Sequence, residues 1–284
     1  MKLSELIRQN LSACVSAVLL VAAFSATPAA GQAAPAPNWW AKWSPKAPPL
    51  GAQDGFESPT LGSLWMTGLL APGSWAVQSD IVRAGHSALR ITVRPHDFYM
   101  PGNPGTSDTE RDELMEAFPY WTRENVPYEF SWSMYVAKDF PVVPVRLVVA
   151  QWWEWCHASN LPCSGYSPVL AVRYIGGELL ITQDLNQRYN VLYREKRDLR
   201  GRWLDLRFQV RFTPEATGFV RAWLDGKQVV DFNGATLNQE NAQSGYGPPV
   251  LIPFRMGLYR NPMPEPMTIY LDEYRKSVMG QDGK

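Results

Sequence analysis

The chain has 284 residues, and its 27 lysines and arginines are balanced by 27 aspartates and glutamates. Without a basic surplus it does not read as a nucleic-acid-binding protein. An acidic ligand would have to be held by locally placed arginines rather than by a global field.

Residues 1–33 read as a cleaved signal peptide. Lys2 and Arg8 supply a positive start, Leu11 to Phe24 an apolar run, and Ala29, Ala30, Gly31 and Ala33 small residues for cleavage. The run is short for a membrane span of about 20 residues, and Cys14 stands at its front rather than behind it, unlike a lipidation site. A secreted or periplasmic protein without a membrane anchor is expected. Cleavage leaves 25 basic and 26 acidic side chains. Residues 34–51, rich in Pro, Ala and Trp, form an extended leader. Residues 52–284 suffice for one domain, without a solenoid or propeller period, and a monomer is expected.

Beyond the leader the dominant period is two. Leu89, Ile91 and Val93 alternate with Arg90, Thr92 and Arg94. Tyr128, Phe130, Trp132, Met134 and Val136 alternate with more polar partners, as do Leu204, Leu206, Phe208, Val210 and Phe212. Gly176-Gly177 and Asp225-Gly226 read as hairpin turns. No comparably long amphipathic helix appears. The pattern predicts an all-β protein, a concanavalin-A-like β-sandwich or β-jelly roll of antiparallel sheets. Cys156 and Cys163 flank a short loop, and in an oxidising compartment they are expected to form a disulfide. A metal site built from them and His157 lacks a fourth ligand at any familiar spacing.

Four segments place chemically capable groups within otherwise core-like strands: Arg94–Asp97, Glu110–Leu114, Val148–Trp153 and Phe254–Arg260. In extended strands Arg111 and Glu113 share one face, as do Gln151 and Trp153, and Arg255, Gly257 and Tyr259. A cleft formed from these faces would hold guanidinium, amide, phenol and an aromatic platform. That set suits β-elimination on a uronate, in which the C5 proton is removed beside a carboxylate and the O4-linked sugar is expelled. Gln151 and Arg111 would stabilise the enolate-like intermediate, and a tyrosine or histidine would carry the proton.

Each of these residues also has an ordinary role open to it. Gln151 can serve the sheet, Arg111 can pair with Glu113 or Asp112, and Tyr259 can be a half-buried strand tyrosine. Two rival functions stand beside the lyase. Glu110, Asp112 and Glu116 look like the alternating carboxylates of a laminarinase-type glycoside hydrolase, although a retaining pair must lie about 5–5.5 Å apart. The outer two of the three would be roughly 20 Å apart in a regular strand. A non-catalytic glycan-binding protein would use the tryptophans and arginines for recognition alone.

The ordered set Gly85–Arg90, Glu110–Leu114, Ala150–Trp152, Ser167–Leu170, Trp223–Lys227 and Met256–Arg260 resembles the heparin-lyase-I-like polysaccharide lyases, the group that includes glucuronan lyase. The likeness runs from about residue 54 to 274. It implies a jelly roll similar to that of the alginate lyases, where an arginine, a Gln-x-His pair and a late-strand tyrosine share the cleft. Carried onto this chain, it implies Gln151, Tyr259 and Arg111 as catalytic residues. Trp153, Arg255, Glu113, His157 and Arg260 are then expected to bind the acidic polysaccharide. Trp153 stands where that pattern has histidine, so a histidine base would come from elsewhere: His96 foremost, with His157 and His86 as alternatives. Arg255 replaces an expected lysine and keeps its charge. Such sandwiches imply no required cofactor but allow a structural calcium, with Glu57 and Asp272 as ligands.

Overall fold

The computed structural model describes residues 49–98, 109–156, 161–162, 168–186, 188–238 and 250–280, with backbone alone at 155, 156, 161 and 162. The strands begin with β1 (Ala52–Asp54), β2 (Trp65–Met66), β3 (Trp75–Gln78), β4 (Ala88–Val93), β5 (Glu110–Glu116) and β6 (Thr122–Arg123). They continue through β7 (Pro127–Val136), β8 (Leu147–Trp152), β9 (Trp155–Cys156), β10 (Leu161–Pro162), β11 (Leu170–Ile175), β12 (Glu178–Leu185) and β13 (Arg188–Glu195). Last come β14 (Trp203–Arg211), β15 (Phe219–Leu224), β16 (Lys227–Asn233), β17 (Leu251–Ile252), β18 (Phe254–Arg260) and β19 (Met267–Val278).

They assemble as two large antiparallel sheets and a small one. The first runs β16-β15-β14-β7-β19-β4-β3, with β1 also paired to β19. The second runs β13-β12-β11-β8-β18-β5-β2, and the small sheet β10-β9-β17-β6. This is the expected sandwich. Gly176 and Gly177 take φ of 61° and 85°, and Asp225 and Gly226 of 49° and 77°, the left-handed pairs that a two-residue hairpin requires.

The alternation places side chains as predicted. Phe130, Trp132, Phe208 and Val210 of the first sheet meet Ala150, Trp152, Val172, Phe254 and Met256 of the second in one buried core. Trp152 is its centre, with Phe254, Phe208 and Phe130 centroids 4.8, 5.1 and 5.4 Å away. Burying such rings is the main force closing the two layers.

The two sheets are also pinned by a polar cluster inside the core. Lys276 of β19 donates to both carboxylate oxygens of Glu116 on β5, at 2.9 and 3.1 Å, and to the carbonyl of Tyr120. Tyr274 donates its hydroxyl to the same carboxylate at 2.5 Å. Burial raises the pKa of Glu116 and lowers that of Lys276, and each partner's charge opposes the shift in the other.

Strand order in the second sheet brings its polar side chains together. β18 lies between β5 and β8, so Tyr259 pairs with Arg111, Gly257 with Glu113, and Arg255 with both Met115 and Gln151. Register shifts on both flanks of β8 set Val148 opposite Tyr259 and opposite Arg173 of β11. Gly257 has φ of 143°, and a Cβ there would lie 2.3 Å from the Asp112 carbonyl oxygen and 2.7 Å from Glu113 Cα. Only glycine permits that approach. Gly257→Ala is expected to cost at least 1–3 kcal/mol of stability, read as a lowered urea midpoint, and to reduce activity by pushing β18 from β5.

Candidate active site

The outer face of the second sheet gathers Arg111 and Glu113 from β5, Arg255 and Tyr259 from β18, Gln151 from β8 and Arg173 from β11. Glu113 is its organising group. Fully buried, it accepts a hydrogen bond from Gln151 Nε2 at 2.5 Å and forms an ion pair with Arg111 Nε at 3.0 Å. One carboxylate thus orients both an amide and a guanidinium. Arg111 in turn lies over the Tyr259 ring, its Cζ 4.1 Å from the centroid, and Arg146, just before β8, lies 4.9 Å from the same ring. Tyr259 is half-buried. Beyond Gln151, Arg255 sits 4.9 Å from the Trp153 ring centroid and directs Nε to Met115 Sδ at 3.3 Å.

A phenol flanked by two guanidinium groups, beside a carboxamide held by a buried carboxylate, can move a proton. It can do so while a negative charge develops nearby, because the positive groups are already oriented and need no reorganisation.

A family model described as polysaccharide lyase matches residues 51–275. The chain belongs to that family. It is a polysaccharide lyase with a jelly-roll β fold. Among solved structures it is similar to the endo-β-1,4-glucuronan lyase of the fungus Trichoderma reesei, with 18% identity, 74% of this chain and 90% of that one covered, and a TM-score of 0.57. An alginate lyase of polysaccharide lyase family 7 aligns at 12% identity over 73% and 83% of the two chains, TM-score 0.50. A cellulose-induced protein aligns at 8% identity over 80% and 96%, TM-score 0.53. At these identities the structural likeness speaks for the fold. No curated protein sequence matches the lyase.

The structure brings together Arg111, Glu113, Gln151, Trp153, Arg255 and Tyr259 of the residues singled out in the sequence. Glu113, expected to bind substrate, instead lies beneath the surface with its carboxylate committed to Gln151 and Arg111. Arg260 is a clear correction. It follows Tyr259 by one residue and so points to the opposite face. There it is fully buried, paired with Glu110 at 2.7 Å and donating to the carbonyls of Glu265 and Met263.

His96 stands in the segment between β4 and β5, next to Asp97, whose carbonyl accepts the Arg111 N–H at 2.7 Å. The His96 backbone takes φ of 70°, its N–H donates to Glu110 at 2.8 Å, and its ring packs 5.8 Å from Phe98. His86 donates its N–H to Glu57. His157, Cys163 and the side chain of Cys156 fall outside the described residues, so the expected disulfide does too.

The carboxylates of the hydrolase reading are corrected as well. Glu110 is held by Arg260, Asp112 accepts the N–H of Ala71 at 2.6 Å, and Glu116 belongs to the core pin with Lys276. All three are buried and turned away from the outer face, each engaged separately, so they form no working pair. Burial pushes Asp112 up to about 7. The folded lyase therefore takes up a proton there at higher pH than the unfolded chain does. The ionised carboxylate opposes folding fully above pH 7, and this penalty fades as pH falls toward 4. Asp112→Asn is expected to raise the urea midpoint at pH 8 while leaving it nearly unchanged at pH 4.

Glu57 and Asp272 both accept backbone N–H groups of the 83–86 loop. Asp272 accepts backbone N–H groups of Arg83, Ala84 and Glu273, and Glu57 accepts that of His86. They anchor the 83–86 loop to the first sheet. Among the described residues no group of three or more His, Cys, Asp or Glu side chains is placed to hold a metal.

Two residues of the outer face were not singled out in the sequence, Arg146 and Arg173. The signal for Arg173 was present: it is the one charged side chain in the run Leu170–Ile175.

Proposed function

We propose that the lyase cleaves a uronic-acid-containing glycan of the glucuronan, alginate or heparin-like kind by β-elimination, leaving an unsaturated uronate. The observation that carries this reading is the Tyr259 ring held between Arg111 and Arg146, next to a Gln151 whose amide is fixed by Glu113. The substrate carboxylate takes hydrogen bonds from Gln151 and Arg111, which stabilises the charge that builds on it as the C5–H bond breaks. Tyr259, as phenolate, takes the C5 proton. The electron pair forms C4=C5, the C4–O4 bond breaks, and the new phenol gives its proton to O4, restoring the phenolate. One residue therefore serves as base and then as acid. Trp153, stacked beside Arg255, offers a flat face for a neighbouring sugar. Likenesses to a glucuronan lyase and an alginate lyase support an acidic substrate, and the leader in the sequence supports action outside the cytoplasm.

The test is a panel of uronate polymers incubated with the purified protein while the ultraviolet absorbance of the C4=C5 bond is followed. A rise on one polymer identifies its substrate. New reducing ends without that absorbance would overturn elimination, and tight retention without any product would leave a glycan-binding protein.

A further inference from the structure

Arg173 is a buried cation that has no carboxylate partner among the described residues. It is 7% exposed, its Nε donates to Thr182 Oγ1 at 3.0 Å, and its Cζ lies 5.6 Å from the exposed Tyr189 ring. It takes part in none of the ion pairs among the described residues; Asp184 acts on it only at a distance. Desolvation lowers its pKa, and the like charge of Arg146 adds to that. Buried charges are ordinarily paired, because removing an ion from water is costly unless a counter-charge offsets it. Nothing in the core explains the exception, since Ala171 and Arg173 face away from it while Leu170, Val172 and Tyr174 fill it.

The position of Arg173 shows what would complete it. One row across the sheet reads Arg173, Val148, Tyr259, Arg111 on β11, β8, β18 and β5. Neighbouring strands are roughly 4.8 Å apart, so the Arg173 backbone lies roughly 10 Å from that of Tyr259, on the side opposite Arg111. Arg146, anchored by a hydrogen bond from its Nε to Asn261 Oδ1 at 2.9 Å, reaches the Tyr259 ring from the start of β8. Positive groups therefore stand on both sides of the tyrosine that would act at the scissile linkage.

We propose that Arg173, assisted by Arg146, is a second carboxylate-binding subsite. It holds the uronate across the scissile bond from the one held by Arg111 and Gln151, so that the enzyme requires two adjacent acidic sugars. The inference rests on the lyase reading. Arg173 is a specificity residue, since a carboxylate there is bound equally before and during the chemical step.

The test uses the uronate polymer that the wild-type protein cleaves, and the same polymer with a known fraction of its carboxyl groups chemically reduced to alcohols. Two required carboxylates make kcat/KM fall as the square of the remaining acid fraction. A half-reduced polymer should then give about a quarter of the full value with wild type, but about half with Arg173→Gln, which no longer reads the second acid. Arg173→Gln should also raise KM about 10- to 100-fold with kcat nearly kept, and Arg173→Lys should recover part of the loss. A linear dependence in the wild type overturns the proposal without any variant, as does an unchanged KM in a folded Arg173→Gln protein. If the wild type produces no unsaturated ends from any uronate polymer, the lyase reading itself fails and the subsite with it.

Discussion

Tyr259→Phe is expected to lower kcat by about 10²- to 10⁴-fold, the range that a positioned proton carrier supplies, while KM on the cleaved polymer stays within about twofold. The substitution removes one oxygen and leaves the ring between the Arg111 and Arg146 guanidinium groups. The Gln151 amide, proposed to bind the substrate carboxylate, keeps its hydrogen bond to Glu113. The loss should therefore fall on the chemical step alone. Initial rates from the unsaturated-uronate absorbance measure it, and unaltered thermal unfolding shows that the sheet is intact. A variant keeping more than a tenth of the wild-type kcat would assign the proton to another group and send the search to the histidines.

The second large effect concerns stability. Lys276→Met should destabilise the protein by about 3–5 kcal/mol, because it leaves the Glu116 carboxylate buried with Tyr274 as its remaining side-chain donor. Both partners are completely buried, so water cannot take over the lost interaction. Replacing them together, as Glu116→Leu with Lys276→Met, is expected to restore most of that loss, since an apolar pair removes the desolvation penalty along with the attraction. Urea denaturation of the wild type, the two single variants and the double variant completes the cycle. If the double variant is as unstable as the sum of the singles, the cluster does not act as a pair and Tyr274 or the Tyr120 carbonyl carries the interaction.

The alternation of side chains was legible because it is local: in an extended strand each residue's face follows from its neighbour's. Phe130, Trp132, Phe208 and Trp152 declare the core in this way, and Arg111, Gln151 and Tyr259 declare the opposite face. Applied one residue further, the same rule puts Arg260 inside, where it is found against Glu110. The Gly-Gly and Asp-Gly turns were likewise readable, since left-handed backbone favours those residues. The sequence by itself thus determined an antiparallel sandwich and the parity of its candidate catalytic groups.

Which groups meet was decided only by the tertiary structure. β5, β8 and β18 are distant in sequence, and local alternation carries no information about strand order. Insertion of β18 between the other two is what sets Tyr259 beside Arg111 and Arg255 beside Gln151. The roles of the acidic residues depended on it in the same way. Glu110, Glu113 and Glu116 are alike on paper, yet one pairs with Arg260, one orients Gln151 and Arg111, and one pins the sheets through Lys276. A buried charge takes its meaning from the partner that offsets its desolvation. Here those partners come from strands far along the chain, and for Arg173 the proposed partner is a carboxylate of the substrate.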